Sequence, residues 1–427
     1  KFNIKRDDYD LPDFAFIMEQ YDKILKLMRD GVILSAQALD GNGIAEAVAK
    51  MAFGNKFGAK FCKHRPKEFF FTPAYGEIVA EINEEDLSLL DEMGIAYEKF
   101  GKVLAEPQFI CDEEVISLEE ALEAWTGTLE KVFPTRSDVE QRKIDTGIYE
   151  TKEIYVCKHK VARPKVFIPV FPGTNCEYDT TISFQEAGAD TESVVFCNMT
   201  EQNITDSVDA FEKVIRESQI LMFSGGFSAG DEPDGSAKFI TSVFRNEKIQ
   251  DAVHELLDKR DGLVLGICNG FQALVKLGLV PYGKITTQKA DSPTLTTNSI
   301  GRHISKSVYT KVVTNKSPWL QEAELGGVYA IPASHGEGRF VANDEWLRKL
   351  FENGQVATQY VDIDGNPTMD EDFNPNGSYC AIEGITSPDG RVLGKMAHSE
   401  RRGDGVAINI YGQQDQKIFA SGVNYFK

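Results

Sequence analysis

Short apolar runs alternate with helical patterns from Lys165 onward, and this alternation constrains the fold of the 427-residue chain more than any other feature. Strands are predicted at residues 166–170, 193–197, 219–223 and 263–267, with helices between them at 180–186, 207–218 and 236–259. Further strands are predicted at residues 309–313, 328–331, 356–360 and 381–385. Short strands separated by helices favour a doubly wound α/β fold with a mostly parallel sheet, whose functional groups lie at the carboxyl ends of the strands.

The residues before this region have a different pattern. Helices are predicted at residues 14–28, 43–51 and 84–93, and strands at 32–36, 69–71, 77–82, 95–103 and near Phe109. We therefore expect a smaller α+β domain over residues 1–115 and a connector with an amphipathic helix at 118–133 over residues 116–163. The α/β domain would then occupy residues 164–427, a division that agrees with a length too great for one core.

Charge and cysteine content exclude several classes of protein. A formal net charge of −20 argues against nonspecific binding to nucleic acid or to an anionic membrane. The seven cysteines show no zinc-finger or redox spacing, so we expect no metal site and a reducing, cytoplasmic setting. The sequence shows no signal peptide and no apolar run of membrane-spanning length, and its start at Lys1 suggests part of a longer protein.

The stretch Gly266-Ile267-Cys268-Asn269-Gly270 follows the predicted strand at 263–267 directly. A glycine on each side of one reactive residue permits a sharp turn from strand to helix, as in a nucleophile elbow. Such a turn presents the side chain at the sheet edge, and the following helix N-terminus favours a thiolate. The pattern predicts that Cys268 is a catalytic nucleophile.

A catalytic thiolate needs a proton shuttle, and His335 is the candidate among the six histidines. It lies in Ser334-His335-Gly336-Glu337 after a predicted strand, and the i, i+2 spacing directs His335 and Glu337 to the same side of an extended segment. Glu337 would then hold one imidazole nitrogen while the other faces the thiol. A second His-x-Glu pair, His398 and Glu400, is interpreted as part of a domain interface or of a surface loop.

Glycine-rich segments follow two other predicted strands. Ser224-Gly225-Gly226-Phe227-Ser228 follows the strand at 219–223, and its backbone N–H groups are expected to form an oxyanion hole together with that of Asn269. The segment 172–177 (PGTNCE) follows the first strand of the α/β domain, and it carries only a weak phosphate-binding signal. Its cysteine, Cys176, is expected to be inert.

Five segments resemble the glutaminase domain of the phosphoribosylformylglycinamidine synthase family, the amidotransferases of purine biosynthesis. They are PGTNCE (172–177), SGGFSAGD (224–231), GICNGFQ (266–272), SHGEGRF (334–340) and GKMAHSER (394–401). In the last segment Ala397 and Ser399 replace the family's usual prolines. The resemblance covers residues 165–427.

This resemblance implies a carbon–nitrogen ligase with glutamine as amido donor, whose glutaminase step needs no cofactor and proceeds through a thioester. It implies Cys268 as nucleophile, His335 as general base and acid, and Glu337 as the group that orients it. It further implies an oxyanion hole of Gly226 and Asn269. The implied contacts of the substrate glutamine are Gln272, Gly225 and Phe227.

The first 115 residues resemble, more loosely, the C-terminal half of the synthetase module shared with aminoimidazole ribonucleotide synthetase. In the segment that usually reads SAHDVSDGGL, Gln37 replaces the histidine, and Ala38 and Gly41 replace two acids. The resemblance implies that the full-length synthase needs ATP and magnesium, supplied by upstream synthetase domains, and that this chain does not bind them.

Two other interpretations remain open. One is a Cys/His hydrolase of the same fold with a peptidase-like substrate, against which Gln272 and the FSAGD segment argue. The other is a noncatalytic regulatory module that retains the elbow, against which the presence of Cys268, His335 and Glu337 argues. An electrophilic glutamine analogue distinguishes the noncatalytic module from an enzyme, because the absence of an adduct at Cys268 would favour the module.

Overall fold

The computed structural model describes residues 1–9, 11–62, 65–137, 142, 147–227, 236–403 and 405–427. The chain forms two compact units, Lys1–Pro134 and Thr135–Lys427, which divide the predicted connector between them. In the described part of the chain, no helix has both the length and the apolar character needed to cross a membrane.

The first unit is an α+β structure with two small sheets. Its elements in chain order are α1 (Phe14–Arg29), β1 (Ile33–Ala38), α2 (Gly43–Asn55), β2 (Gly58–Phe61), α3 (Lys67–Phe71), β3 (Ile78–Ile82), α4 (Leu87–Glu92), β4 (Gly101–Leu104), β5 (Gln108–Cys111), β6 (Glu114–Ser117) and α5 (Leu118–Thr126). Strands β1 and β3 pair antiparallel, and the other sheet has the order β4-β2-β5-β6. Helix α1 begins where the Asp13 side chain accepts a hydrogen bond from the Phe16 N–H, and its buried face includes Ile17, Ile24 and Leu27.

Three predicted elements of this unit are wrong in type or length. Residues 69–71 were expected to form a strand because aromatic residues favour strands, but they belong to α3, which begins after Pro66. The buried Phe70 ring contacts Phe61 edge-on at a centroid distance of 4.9 Å, so packing determines the conformation. The helix expected at 118–133 ends at Thr126, and only Gly101–Leu104 forms the strand expected near 95–103.

The second unit contains the large sheet. Its elements are β7 (Lys165–Val170), α6 (Glu177–Glu186), β8 (Asp190–Val195), α7 (Glu201–Glu217), β9 (Ile220–Phe223), α8 (Lys238–Phe244), α9 (Glu247–Lys259), β10 (Leu263–Ile267), α10 (Asn269–Leu277), α11 (Leu279–Tyr282), β11 (Thr294–Thr296), β12 (Ile304–Val312), β13 (Val328–His335), β14 (Arg339–Val341), α12 (Asp344–Glu352), β15 (Val356–Tyr360), β16 (Ile382–Thr386), β17 (Val392–Lys395) and α13 (Ile418–Asn424). The helix expected at 236–259 is two helices, because the Asn246 side chain accepts a hydrogen bond from the Lys248 N–H and begins α9.

Nine strands form one sheet in the order β13-β12-β15-β16-β17-β10-β9-β7-β8. The five strands from β17 to β8 run parallel, whereas β13, β12, β15 and β16 pair antiparallel with their neighbours. Strands β9 and β10 lie inside the parallel part of the sheet, with a strand on each side. Every residue in them is buried, as their apolar sequences require. The predicted α/β fold, with a large mostly parallel sheet and a smaller domain before it, is confirmed.

Candidate active site

Cys268 occupies a strained turn between β10 and α10. Its backbone has φ 54° and ψ −110°, a conformation that costs free energy in a residue with a side chain. The flanking glycines are required, because a Cβ at position 270 would overlap the Phe223 carbonyl and one at 266 would meet the Gly270 carbonyl. The Cys268 N–H donates to the Lys395 carbonyl at 2.9 Å, which fixes the turn against β17. The strand-to-helix turn predicted from the two glycines is confirmed.

The carboxyl ends of three other parallel strands bring further groups to this turn. Strand β9 leads into Gly225 and β17 leads into His398, and both strands are direct neighbours of β10. Cys176 comes from the loop after β7 and its N–H donates to the Gly225 carbonyl. A Cβ on Gly225 would lie 2.8 Å from Cε1 of His398, 3.1 Å from Sγ of Cys176 and 3.4 Å from Cβ of Cys268. These three side chains therefore surround one glycine.

His398 is buried and is held by a carboxylate. Its Nδ1 lies 2.7 Å from Oε1 of Glu400, and its backbone N–H donates to the Pro332 carbonyl at 2.8 Å. Burial acts to lower the pKa of His398, but the charge of Glu400 and then that of Cys268 raise it well above the ordinary value of 6.5. The pair is thus an imidazole oriented through Nδ1, with Cys268 nearby.

Glu400 is the buried partner in this pair, with 3% of its surface exposed. Burial acts to raise its pKa, yet the positive charge of His398 and the hydrogen bond between them lower it below 4.5. Its other oxygen, Oε2, is buried and has no hydrogen-bond partner in the described part of the chain. The interpretation of His398 and Glu400 as part of a surface loop is therefore wrong, because both side chains are buried. Their place in a domain interface stays a prediction.

A buried ion pair fixes the loop that carries His398. Lys395 and Glu383 are fully buried, with Nζ and Oε1 3.4 Å apart. The Lys395 ammonium donates to the Ala397 carbonyl at 2.8 Å and to Oγ of Ser399 at 2.9 Å, while Glu383 accepts from the Ala397 N–H at 2.7 Å. Residues 397–399 are consequently hydrogen-bonded on both sides of His398.

The structure contradicts the pairing of His335 with Glu337. His335 ends β13 and is buried; its Nε2 lies 3.1 Å from Nδ2 of Asn376, and its Nδ1 has no hydrogen-bond partner in the described ranges. Burial, with the charge of His398 as a smaller cause, lowers the pKa of His335 from 6.5 to about 3. A base this weak is poorly matched to proton transfer near neutral pH.

Glu337 instead belongs to a hydrogen-bond network with Ser236 and helix α10. Its carboxylate accepts a hydrogen bond from Oγ of Ser236, and its carbonyl accepts one from Nε2 of Gln272 at 2.6 Å. Gln272 also accepts from Nδ2 of Asn269 at 2.8 Å. The network therefore orients Asn269, which directly follows Cys268, and Gln272, one helical turn further along α10.

The remaining predicted site residues lie along the loop after β9. Gly226 has φ 138°, and a Cβ there would lie 2.5 Å from the Gly173 carbonyl oxygen, so this position requires glycine. Phe227 is half exposed, and its ring centroid is 6.2 Å from that of His303. Residues 228–231, the rest of the SGGFSAGD segment, lie outside the described residues.

Comparison with known proteins shows the family of residues 163–426. The family model of the CobB/CobQ-like glutamine amidotransferase domain matches residues 163–426. Subunit PurQ of phosphoribosylformylglycinamidine synthase from Methanococcus maripaludis is 33% identical over 281 residues, which cover 62% of this chain and 97% of that protein. The chain belongs to this amidotransferase family. The predicted class of enzyme, a glutamine amidotransferase of the phosphoribosylformylglycinamidine synthase family, is confirmed.

Two further relatives of this amidotransferase differ in extent. A probable phosphoribosylformylglycinamidine synthase, chloroplastic/mitochondrial, from Arabidopsis thaliana is 26% identical over 428 residues, which cover 93% of this chain and 30% of that protein. The solved structure of PurLQS from Thermotoga maritima contains a chain with 28% identity and a TM-score of 0.45, covering 62% of this chain and 100% of that one.

Proposed function

We propose that Cys268, His398 and Glu400 hydrolyse the side-chain amide of glutamine and release ammonia. The observation that carries this proposal is the position of His398, which is hydrogen-bonded to Glu400 through Nδ1 and shares the surroundings of Gly225 with Cys268. A nucleophile, an imidazole and an orienting carboxylate in this order make a Cys-His-Glu triad. Membership of the amidotransferase family supports glutamine as the substrate.

The acylation step follows from these positions. Glu400 accepts the Nδ1–H of His398, which leaves Nε2 to take the thiol proton of Cys268. Sγ then attacks the amide carbon of glutamine and forms a tetrahedral oxyanion. When the C–N bond breaks, His398 returns the proton to the departing nitrogen as ammonia leaves, and the glutamyl group stays on Cys268 as a thioester.

Hydrolysis of the thioester reverses these roles. His398 takes a proton from water, whose oxygen attacks the thioester carbon, and glutamate leaves as Sγ regains the proton. We propose that backbone N–H groups of Gly226 and Asn269 stabilise both tetrahedral oxyanions, because these residues flank Cys268 at the ends of β9 and β10. Gln272, Gly225 and Phe227 remain the proposed contacts of the glutamine substrate.

We further propose that a synthetase portion outside this chain uses the ammonia in an ATP-dependent step of purine biosynthesis, the conversion of formylglycinamide ribonucleotide to formylglycinamidine ribonucleotide. The similarity to the Arabidopsis synthase along 93% of the chain supports a longer working assembly. ATP and magnesium belong to that portion in this proposal, because the first unit has Gln37, Ala38 and Gly41 where the resembling family has a histidine and two acids.

Glutamate release tests the proposal. We expect the chain to hydrolyse glutamine and Cys268→Ala to lose this activity with its circular dichroism spectrum unchanged. A diazo-ketone glutamine analogue should add to Cys268, and Cys197→Ala, which replaces an exposed cysteine of the same unit, serves as the control. Unchanged turnover in Cys268→Ala would refute the assignment. Peptide cleavage without glutamine hydrolysis would favour the peptidase-like interpretation, and no adduct would favour a noncatalytic module.

A further inference from the structure

A second buried thiol lies beside the proposed catalytic pair. Sγ of Cys176 is 3.8 Å from Nδ1 of His398, the same ring nitrogen that contacts Glu400. Cys176, His398 and Glu400 are all buried, and each offers one ligand atom within 4.8 Å of the other two. The proposed mechanism uses His398 and Glu400, whereas it assigns no role to Cys176.

We propose that Cys176, His398 and Glu400 form an inhibitory zinc site. A thiolate, an imidazole and a carboxylate are the ligand types that Zn²⁺ prefers, and three protein ligands leave a fourth position for water or for another group. Cys268 borders the same glycine as Cys176 and His398, so its sulfur is the candidate for the fourth position.

The spacing of the donor atoms fits a tetrahedral ion with little movement. Two donors bound to one zinc ion lie about 3.3–3.6 Å apart when the metal–ligand distances are about 2.0–2.3 Å. The contact between Cys176 and His398 is 3.8 Å, so it has to shorten slightly, whereas the 2.7 Å contact between His398 and Glu400 has to lengthen. Oε2 of Glu400 is buried without a hydrogen-bond partner in the described residues and is available as the ligand atom.

One neighbouring cation opposes metal binding and has to move. A guanidinium nitrogen of Arg401 lies 3.5 Å from Sγ of Cys176. The Arg401 side chain is 42% exposed and also lies 3.5 Å from the carboxylate of Asp179, so it can turn toward solvent without losing every partner. The thiol proton of Cys176 and the Nδ1 proton of His398 are released as zinc takes their places.

Zinc at this position stops the proposed chemistry for two reasons. The ion takes the Nδ1 lone pair of His398, so Glu400 no longer orients the ring through a hydrogen bond. The positive charge of the ion also makes Nε2 a weaker base for the Cys268 proton. Metal binding rests on the side-chain arrangement alone, whereas inhibition also rests on the proposed glutaminase activity.

Cobalt and zinc titrations of the whole chain test the two parts separately. Co²⁺ should bind with one-to-one stoichiometry and give a thiolate-to-cobalt charge-transfer band, and Zn²⁺ should displace it. Cys176→Ala and Cys176→Ser should weaken binding about tenfold or more. The exposed Cys197, replaced in Cys197→Ala, is the matched control and should leave the titration unchanged. No band in the unaltered chain, or equal affinity in the Cys176 variants, would overturn the metal site.

Inhibition is then measured as the loss of glutamine hydrolysis with added Zn²⁺, relative to the zinc-free rate of each variant. The unaltered chain and Cys197→Ala should be inhibited, a chelator should restore both, and the Cys176 variants should need at least about tenfold more zinc. Zinc binding without loss of hydrolysis would overturn the inhibitory role. Failure to hydrolyse glutamine before zinc is added would overturn the proposed function, while the cobalt spectra still decide the metal site.

Discussion

Gly225 lies directly against His398, and a Cβ atom at position 225 would be 2.8 Å from Cε1 of the imidazole. The ring has little freedom to yield, because Glu400 holds its Nδ1 at 2.7 Å and Pro332 fixes its backbone N–H. The glycine after β9 therefore sets how closely the imidazole approaches the end of β10. Its role in the site is steric, in addition to any contact with substrate.

We expect Gly225→Ala to lower glutamine hydrolysis roughly 10- to 100-fold, because displacement of a catalytic group by about 1 Å has effects of this size. Steady-state kinetics with glutamine measures the change. The control is Gly54→Ala in α2, where a Cβ would have no atom within 4 Å, and hydrolysis should be unchanged. Equal activity of Gly225→Ala and the unaltered chain would show that glutamine hydrolysis does not depend on the observed position of the His398 imidazole.

Replacement of the two candidate histidines separates their roles. His398→Asn should reduce glutamine hydrolysis about 10²- to 10⁴-fold, the usual contribution of general acid–base catalysis. His335→Gln keeps an acceptor for the Asn376 amide, which contacts Nε2 at 3.1 Å, and should retain activity within about tenfold. The opposite order of effects would restore His335 as the catalytic base and refute His398.

The pH profile of Glu400→Gln tests the electrostatic role of the carboxylate. Because the charge of Glu400 raises the pKa of His398, the imidazolium persists to higher pH in the folded chain than its ordinary value of 6.5 allows. Loss of that charge should lower the pKa of His398 and move the alkaline limb of the activity profile to lower pH. Rates measured between pH 5 and 10 with a chelator present show the shift. An alkaline limb at the same pH in both proteins would contradict the role of Glu400 in raising the pKa of His398.

The same raised pKa has a consequence for stability. A histidine whose folded pKa is above its unfolded value stabilises the fold fully below about pH 6.5, and the contribution is lost as the pH rises through the folded pKa. We expect the difference in free energy of unfolding between the unaltered chain and Glu400→Gln to be larger at pH 6 than at alkaline pH. Urea denaturation at both pH values measures this difference in free energy of unfolding. A difference that grows with pH would contradict a raised pKa of His398 in the folded chain.

The turn at Cys268 was predictable from sequence because its causes are local. An uninterrupted apolar run predicts the buried β10, and two glycines around Cys268 predict the sharp turn, since a Cβ at either position would meet neighbouring backbone. The length of helices was less predictable. Asn246 divides the helix expected at 236–259 by capping α9, which is a side-chain hydrogen bond that apolar spacing does not show.

The proposed proton-transfer partner, His398, was not predictable because its position depends on strand order. His335-x-Glu337 and His398-x-Glu400 have the same spacing, and flanking glycines made the first pair more prominent. The decisive element is β17, which has only four residues, Val392–Lys395, and contains a glycine and a lysine. Only its pairing beside β10 brings His398 to Cys268. In the sequence, strand β17 is indicated only by the two apolar residues Val392 and Leu393, which precede the second His-x-Glu pair.

Removal of one charge from the buried pair below the His398 loop should destabilise the fold. Burial lowers the pKa of Lys395, although the charges of Glu383 and Glu400 act to raise it, so the ammonium depends on its carboxylate partners. Glu383→Gln leaves Lys395 without its closest countercharge and should reduce the free energy of unfolding by about 3–5 kcal/mol. It also weakens the contact that Glu383 makes with the Ala397 N–H, so the activity of the folded fraction should fall as well.

Asp209→Asn is the control for this prediction. Asp209 pairs with Lys248 at 2.6 Å, and more than half of each side chain is exposed. Its replacement should therefore change the free energy of unfolding by only about 0–1 kcal/mol. Urea denaturation of the three proteins decides the matter, since equal midpoints for Glu383→Gln and Asp209→Asn would mean that the buried pair does not hold the loop that carries His398.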